Sequence, residues 1–134
     1  MTETVLYPTT LARQALAMRF GLPYDNAMQD WEWEAANADD FDQYLAAYTL
    51  AMPSDQRFSL MEMLMQSVED SPDESVFNNR WARIRSLLKN HSALHAQTIA
   101  YWACSDEVDV EQAFRVSRPM RELLRLNTFG GNPQ

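Results

Sequence analysis

Apolar residues recur at helical spacing along almost the whole chain. The cleanest case lies between residues 54 and 68, where one stripe holds Phe58, Met61, Leu64, Met65 and Val68. Spacings of three and four residues place such side chains on one face of an α-helix. Similar stripes predict helices over about 10–20, 31–36, 39–52, 54–68, 74–90, 93–104 and 117–126, with a short turn carrying Val110 at 109–114.

Small polar residues, proline and glycine mark the expected helix boundaries. Thr9 or Thr10 opens the first helix, whose apolar stripe begins with Leu11, and Gly21 ends it. The other predicted N-caps are Asp30, Ser54 or Asp55, Ser92, Asp109 and Ser117. Pro53 separates the third predicted helix from the fourth.

The whole pattern predicts an all-α fold. A chain of 134 residues is the size of one domain and buries about two thirds of its surface on folding. Three glycines and the absence of a convincing strand argue against a turn-rich β protein. We therefore expect a single compact bundle of about five to seven helices over residues 1–126. Residues 127–134, which contain Gly130, Gly131 and Pro133, are expected to be a disordered tail.

Charge and cysteine content limit the possible partners. The net charge is −8, so phosphate backbones and anionic membranes repel the chain, whereas a basic protein is attracted. We expect no nucleic acid and no membrane among the partners. The single cysteine, Cys104, cannot form an internal disulfide. Together with the lack of a signal-peptide pattern, this favours the cytoplasm.

The strongest local feature is an acidic segment with two tryptophans. Between Arg19 and Arg57 the chain has eight carboxylates and no lysine or arginine. On a helix Trp31 and Trp33 stand about 200° apart, so we expect one to be buried and the other partly exposed. Carboxylates around an exposed tryptophan are typical of an interface with a basic protein. The predicted partner-binding residues are Asp30, Trp31, Glu32, Trp33, Glu34, Asp39, Asp40 and Asp42.

Two alternative interpretations of this segment stay open. One is an ordinary solvated acidic face beside a core tryptophan. In the other, arginines of the later helices neutralise the acids internally; the candidates are Arg80, Arg83, Arg115, Arg118, Arg121 and Arg125.

Motifs for catalysis or metal binding are weak. The acidic segment has no glycine for a calcium loop, and His91 and His95 lack a third zinc ligand nearby. Neither a phosphate-binding loop nor a nucleophile elbow occurs. We therefore expect no catalytic residues, no metal and no cofactor.

Several short stretches resemble those of small uncharacterised acidic helical bacterial proteins, over roughly residues 11–125. They are Leu22-Pro23-Tyr24, Met28-Gln29-Asp30-Trp31-Glu32, Phe58-Ser59-Leu60-Met61-Glu62 and Thr98-Ile99-Ala100-Tyr101-Trp102. In size and acidity the chain is also similar to bacterial immunity proteins, which bind and neutralise a toxin. The expected function is a cytoplasmic protein-binding module, with an immunity-type inhibitor as one form of it. The alternatives are a small metal-dependent or acid/base enzyme and a homo-oligomerising structural protein, such as a homodimer.

Overall fold

The computed structural model describes residues 8–109 and 112–130, together with the side chains of these residues up to 126. No strand occurs in these two ranges. The described residues form seven α-helices and one 3-10 helix, Ala38–Asp40. The α-helices are α1 (Thr10–Phe20), α2 (Trp31–Ala35), α3 (Phe41–Ala47), α4 (Ser54–Glu69), α5 (Glu74–Asn90), α6 (Ala96–Ala103) and α7 (Ser117–Gly130). The predicted all-α fold of five to seven helices is confirmed.

The chain groups into two compact units, Met1–Asp70 and Ser71–Gln134. The first unit contains α1 to α4, and the second contains α5 to α7. The expectation of one domain over residues 1–126 stays a prediction. None of the described helices combines the length and apolarity needed to cross a bilayer.

In the first unit α4 is the central element, because α1, α2 and α3 all pack against it. The predicted stripe from Phe58 to Val68 is buried. The buried surface is wider than that stripe, since every side chain from Phe58 to Met65 is buried. A helix that is buried on nearly all sides is typical of a core element.

The boundaries of α1 follow the predicted signals. The Thr9 side chain accepts a hydrogen bond from the N–H of Ala12, and Gly21 ends the helix in the left-handed region at φ 67°. The predicted stripe is wrong at Leu11, which is 78 % exposed. The buried side chains are Ala12, Leu16 and Ala17, because the contact with α4 selects a neighbouring face.

The start of α4 differs from the prediction. Pro53 is the residue before the helix, and no side chain caps this end. Ser54 is already helical, and the Asp55 carboxylate instead accepts a hydrogen bond of 3.0 Å from the Thr9 hydroxyl. Asp55 therefore joins the start of α1 to the first turn of α4.

The third predicted helix is too long at its C-terminal end. It ends at Ala47, and Tyr48 leaves the helix with φ −72° and ψ 110°. Tyr48 and Met52 are both buried. Burial of these two side chains from an irregular segment has overridden the local preference for helix.

In the second unit α5 has the predicted bounds, 74–90, and the Asp73 side chain accepts a hydrogen bond from the Val76 N–H at its start. The predicted helix over 93–104 begins too early. Residues 91–95 form turns, and Ser92 is not its cap, because α6 begins only after His95.

The packing of α7 on α6 builds the core of the second unit. Met120 and Leu123 of α7 are buried, as is Trp102 of α6. The Ser117 hydroxyl donates a 2.8 Å hydrogen bond to the Trp102 carbonyl and accepts one from the Phe114 N–H.

The helix α7 continues to Gly130 and so includes the first four residues of the expected tail. The other tail residues, 131–134, lie outside the described residues. Val110, expected in the turn at 109–114, also lies outside them.

Candidate functional site

Trp31, the first residue of α2, belongs to the core. Its side chain has no exposed surface. The indole Nε1–H donates a 2.7 Å hydrogen bond to the carbonyl oxygen of Pro23, and the Tyr24 ring approaches the indole edge-on at 6.3 Å between centroids. Asp30 precedes the helix without a capping hydrogen bond from its side chain. Of the two tryptophans, Trp31 is therefore the buried one.

Glu32, the second predicted acidic contact, is also buried, at 3 % exposure. Its carboxylate accepts hydrogen bonds from Nε and Nη2 of Arg13 and from the Ser59 hydroxyl at 2.9, 2.7 and 2.7 Å. The same guanidinium donates to the carbonyls of Met28 and Gln29. The hydrogen bond with Glu32 raises the pKa of Arg13 above its ordinary value. Glu32 thus neutralises an arginine of its own unit.

Trp33 is half-buried and points its polar edge at α4. The indole Nε1–H donates a 2.9 Å hydrogen bond to Oε1 of Glu62, a carboxylate that is itself 7 % exposed. This bond joins α2 to α4. Trp33 retains part of its accessible surface, and the next residue, Glu34, is exposed.

The other predicted acidic residues lie at the surface. We use the name acidic surface for Asp30, Glu34, Asp39, Asp40 and Asp42, of which Asp40 is half-buried and the others are exposed. Among the described residues, no lysine or arginine forms an ion pair with Glu34 or Asp39. Arg57 donates instead to the Met52 carbonyl and the Ser54 hydroxyl. Glu34 and Asp39 are therefore exposed carboxylates without an ion pair in the part of the chain that the structure describes.

The charge of the first unit strengthens this feature. Residues 1–70 contain three arginines against twelve acidic residues, a net charge of −9, whereas residues 71–134 carry eight basic and seven acidic residues. An excess this large produces a negative field that attracts cations and basic proteins.

The second unit contains a groove that the sequence analysis missed. Its volume is about 640 Å³, and we call it the arginine groove. It is lined by Glu74, Phe77, Asn78, Trp81, Arg115, Arg118, Pro119, Arg121, Glu122 and Arg125. Four of its ten lining residues are arginines, although the whole chain has a net charge of −8. In the sequence, most of these residues recur at spacings of three and four along two predicted helices, and this spacing indicates that each set shares one helix face.

Two of the groove arginines also stabilise the second unit. Nη1 of Arg115 donates a 2.7 Å hydrogen bond to the Ser71 carbonyl, and its guanidinium carbon lies 4.7 Å from the centroid of the Phe77 ring. Nε of Arg121 donates to the carbonyl of Ala103, and Nη2 donates to those of Cys104 and Glu107. Arg121 thereby donates to carbonyl groups at and just beyond the C-terminal end of α6, where the helix itself supplies no N–H partners.

The candidate metal ligands of the sequence are dispersed. Within residues 8–109 and 112–130, no group of three or more His, Cys, Asp or Glu side chains is arranged to hold a metal ion. His95 is buried at the start of α6, and His91 is half-buried at the end of α5. Cys104 ends α6 with a positive φ of 51°.

Comparison with known proteins assigns the chain to no family. No family model, no curated protein and no solved structure matches this chain. The two surfaces with distinctive chemistry are thus the acidic surface of the first unit and the arginine groove of the second.

Proposed function

We propose that the protein is a protein-binding module whose acidic surface docks on a basic partner. One observation carries the proposal: Glu34 and Asp39 are exposed and form no ion pair among the described residues, although Arg13 lies in the same unit. Arg13 is engaged by Glu32 and two backbone carbonyls. A basic partner supplies the positive charge that these carboxylates lack.

The buried members of the segment support the exposed ones. A helix of five residues such as α2 is unstable by itself in water. It is held by the bonds of Trp31 to Pro23, of Glu32 to Arg13 and Ser59, and of Trp33 to Glu62. Side chains fixed before binding lose less entropy on docking. Trp31 and Glu32 thus act as supports, and contact with the partner falls to the acidic surface and the accessible part of Trp33.

The proposed mechanism is occlusion of a basic patch. Complementary charge raises the association rate, and the accessible Trp33 ring supplies apolar contact at the centre. An immunity-type inhibitor would work in this way, because a toxin that attacks phosphate-containing substrates has a positively charged active site. The proposal includes a cytoplasmic location, which the lone Cys104 supports.

The proposal is tested by capturing partners from a lysate of the native host with the full chain. Wild type is compared with Glu34→Gln/Asp39→Asn, which removes two exposed charges of the acidic surface. The matched control is Asp70→Asn/Asp106→Asn, which removes two exposed charges elsewhere. We expect a stoichiometric basic protein, released by high salt, that the control retains and the first variant loses.

Kinetics on the purified pair then tests the mechanism. The association rate should fall about tenfold in Glu34→Gln/Asp39→Asn and depend less on salt, with a smaller change in dissociation. Equal binding by both double variants would overturn the proposal, as would a captured partner without a basic surface. Light scattering on the same samples identifies the case in which the partner is a second copy of the chain.

A further inference from the structure

The arginine groove is lined by one face of α5, by one face of α7 and by Arg115, which precedes α7. Glu74, Phe77, Asn78 and Trp81 follow each other at intervals of three, one and three residues, as do Arg118, Arg121, Glu122 and Arg125. This spacing keeps each set on one side of its helix over about 10 Å. The groove of about 640 Å³ therefore has the length and volume of a small-molecule site, for which roughly 300–1,000 Å³ is usual.

The charge of the groove opposes that of the chain. Its lining has four arginines against two glutamates, although the chain as a whole carries −8. Clustered guanidinium groups repel one another, and an anion between them removes that cost. Arginine is also the side chain best suited to phosphate or carboxylate, because its fork donates two parallel hydrogen bonds.

The four arginines have different roles. Arg121 is engaged with the end of α6, and Arg115 is fixed by the Ser71 carbonyl and the Phe77 ring. Arg118 and Arg125 are exposed on α7, about two turns apart, and both line the groove. Because both are exposed at the groove, they can reach a ligand that enters from solvent.

The aromatic side of the groove favours a ligand with a flat ring. Trp81 lines the groove one turn beyond Phe77 and is half-buried, so this large aromatic side chain retains accessible surface. An accessible indole face stacks well on a planar ring, as it does with nucleic-acid bases. Asn78, Glu74 and Glu122 add amide and carboxylate groups to the lining, which can donate to or accept from the polar atoms of a heterocyclic ring.

We propose that the arginine groove binds a mononucleotide, with its phosphate on Arg118 and Arg125 and its base on Trp81. The proposal is independent of the acidic surface, since every lining residue belongs to the second unit. The class of ligand is therefore one in which a phosphate and a planar aromatic base belong to the same small molecule.

Calorimetric titration of the full chain with AMP, GMP and pyrophosphate tests the proposal. We expect one nucleotide to bind saturably with a Kd below about 1 mM, and pyrophosphate to bind at least about tenfold more weakly. Arg118→Gln/Arg125→Gln should weaken nucleotide binding by about tenfold or more. The control is Arg83→Gln, which removes an exposed charge of α5 outside the groove and should leave the Kd unchanged.

A second variant separates the contribution of the ring from that of charge. Trp81→Leu should weaken nucleotide binding and leave pyrophosphate binding as it is, and circular dichroism verifies that both variants fold. The proposal is overturned if neither nucleotide saturates, if Arg118→Gln/Arg125→Gln binds like wild type, or if pyrophosphate binds as tightly as the nucleotides. It is also overturned if a short glutamate-rich peptide occupies the groove while nucleotides do not. Nucleotide binding that persists in Glu34→Gln/Asp39→Asn supports the independence of the two sites.

Discussion

Arg13 and Glu32 form a bidentate ion pair with N–H···O distances of 2.9 and 2.7 Å. The two side chains retain only 14 % and 4 % of their accessible surface. The Ser59 hydroxyl from α4 completes the hydrogen bonding of the carboxylate. Glu32, a member of the acidic segment, therefore links α2 to α1 through Arg13 and to α4 through Ser59.

Removing the Glu32 charge should destabilise the protein strongly. Glu32→Gln leaves the largely buried guanidinium of Arg13 without its counter-ion, which typically costs about 3 kcal/mol. The matched control is Glu34→Gln, two residues further along α2 and exposed, which should change the free energy of unfolding by less than about 0.5 kcal/mol. Urea unfolding at neutral pH measures both. Equal effects of the two substitutions would contradict a structural role for Glu32.

Gly21 provides a test of backbone conformation alone. Its φ of 67° lies in the left-handed region, and an added Cβ would meet no atom within 4 Å. Gly21→Ala should therefore lower the free energy of unfolding by about 1 kcal/mol, the strain of an L-residue in this region. Gly21→Asn should lose less, because asparagine tolerates left-handed helix ends. An asparagine variant less stable than the alanine variant would exclude this explanation.

Two buried tyrosines should make the protein less stable at alkaline pH. Burial raises the pKa of Tyr44 and of Tyr48 above the ordinary value of 10.0. Above pH 10 the phenols of the unfolded chain ionise first, so the unfolded state binds fewer protons and the free energy of unfolding falls with rising pH. Tyr44→Phe/Tyr48→Phe should make this fall shallower.

Urea unfolding across the alkaline range checks the tyrosine prediction. At neutral pH the double variant should lose about 1 kcal/mol, because the Tyr44 hydroxyl no longer accepts the 2.9 Å hydrogen bond from the Asn37 N–H. The neutral range serves as the control, since both phenols are protonated there in either state. An alkaline fall as steep as that of wild type would show that other groups cause it.

The bond from Trp33 to Glu62 should appear as an energetic coupling between α2 and α4. Trp33→Phe removes the only donor of the indole and leaves the buried Glu62 carboxylate with one hydrogen bond fewer. A double-mutant cycle with Glu62→Gln should give a coupling free energy of about 1 kcal/mol or more. Additive effects of the two substitutions would show that this contact contributes little to stability.

Helix boundaries were predictable where a residue with special backbone chemistry stands at the end. Gly21 and Ser117 mark the end of α1 and the start of α7 at or next to the positions seen in the structure. The end of α3 and the start of α6 were not predictable in this way. There the burial of Tyr48 and the turns of residues 91–95 depend on the surrounding packing, which a local pattern does not contain.

The candidate sites show the same limit. The sequence predicted that only one of Trp31 and Trp33 would be buried, but the choice depends on the carbonyl of Pro23. The sequence predicts an interface role for Glu32 because its partner, Arg13, lies 19 residues earlier, outside the acidic segment. The arginine groove requires knowledge that α5 and α7 flank one cavity.

The continuous burial of the middle of α4 affects how the first unit unfolds locally. From Leu60 to Met65 no side chain except that of Glu62 retains accessible surface. Partial fraying cannot bring water to the backbone amides of this stretch without removing the helices packed on it. Their hydrogen exchange should therefore be the slowest in the unit and should report the free energy of its complete unfolding.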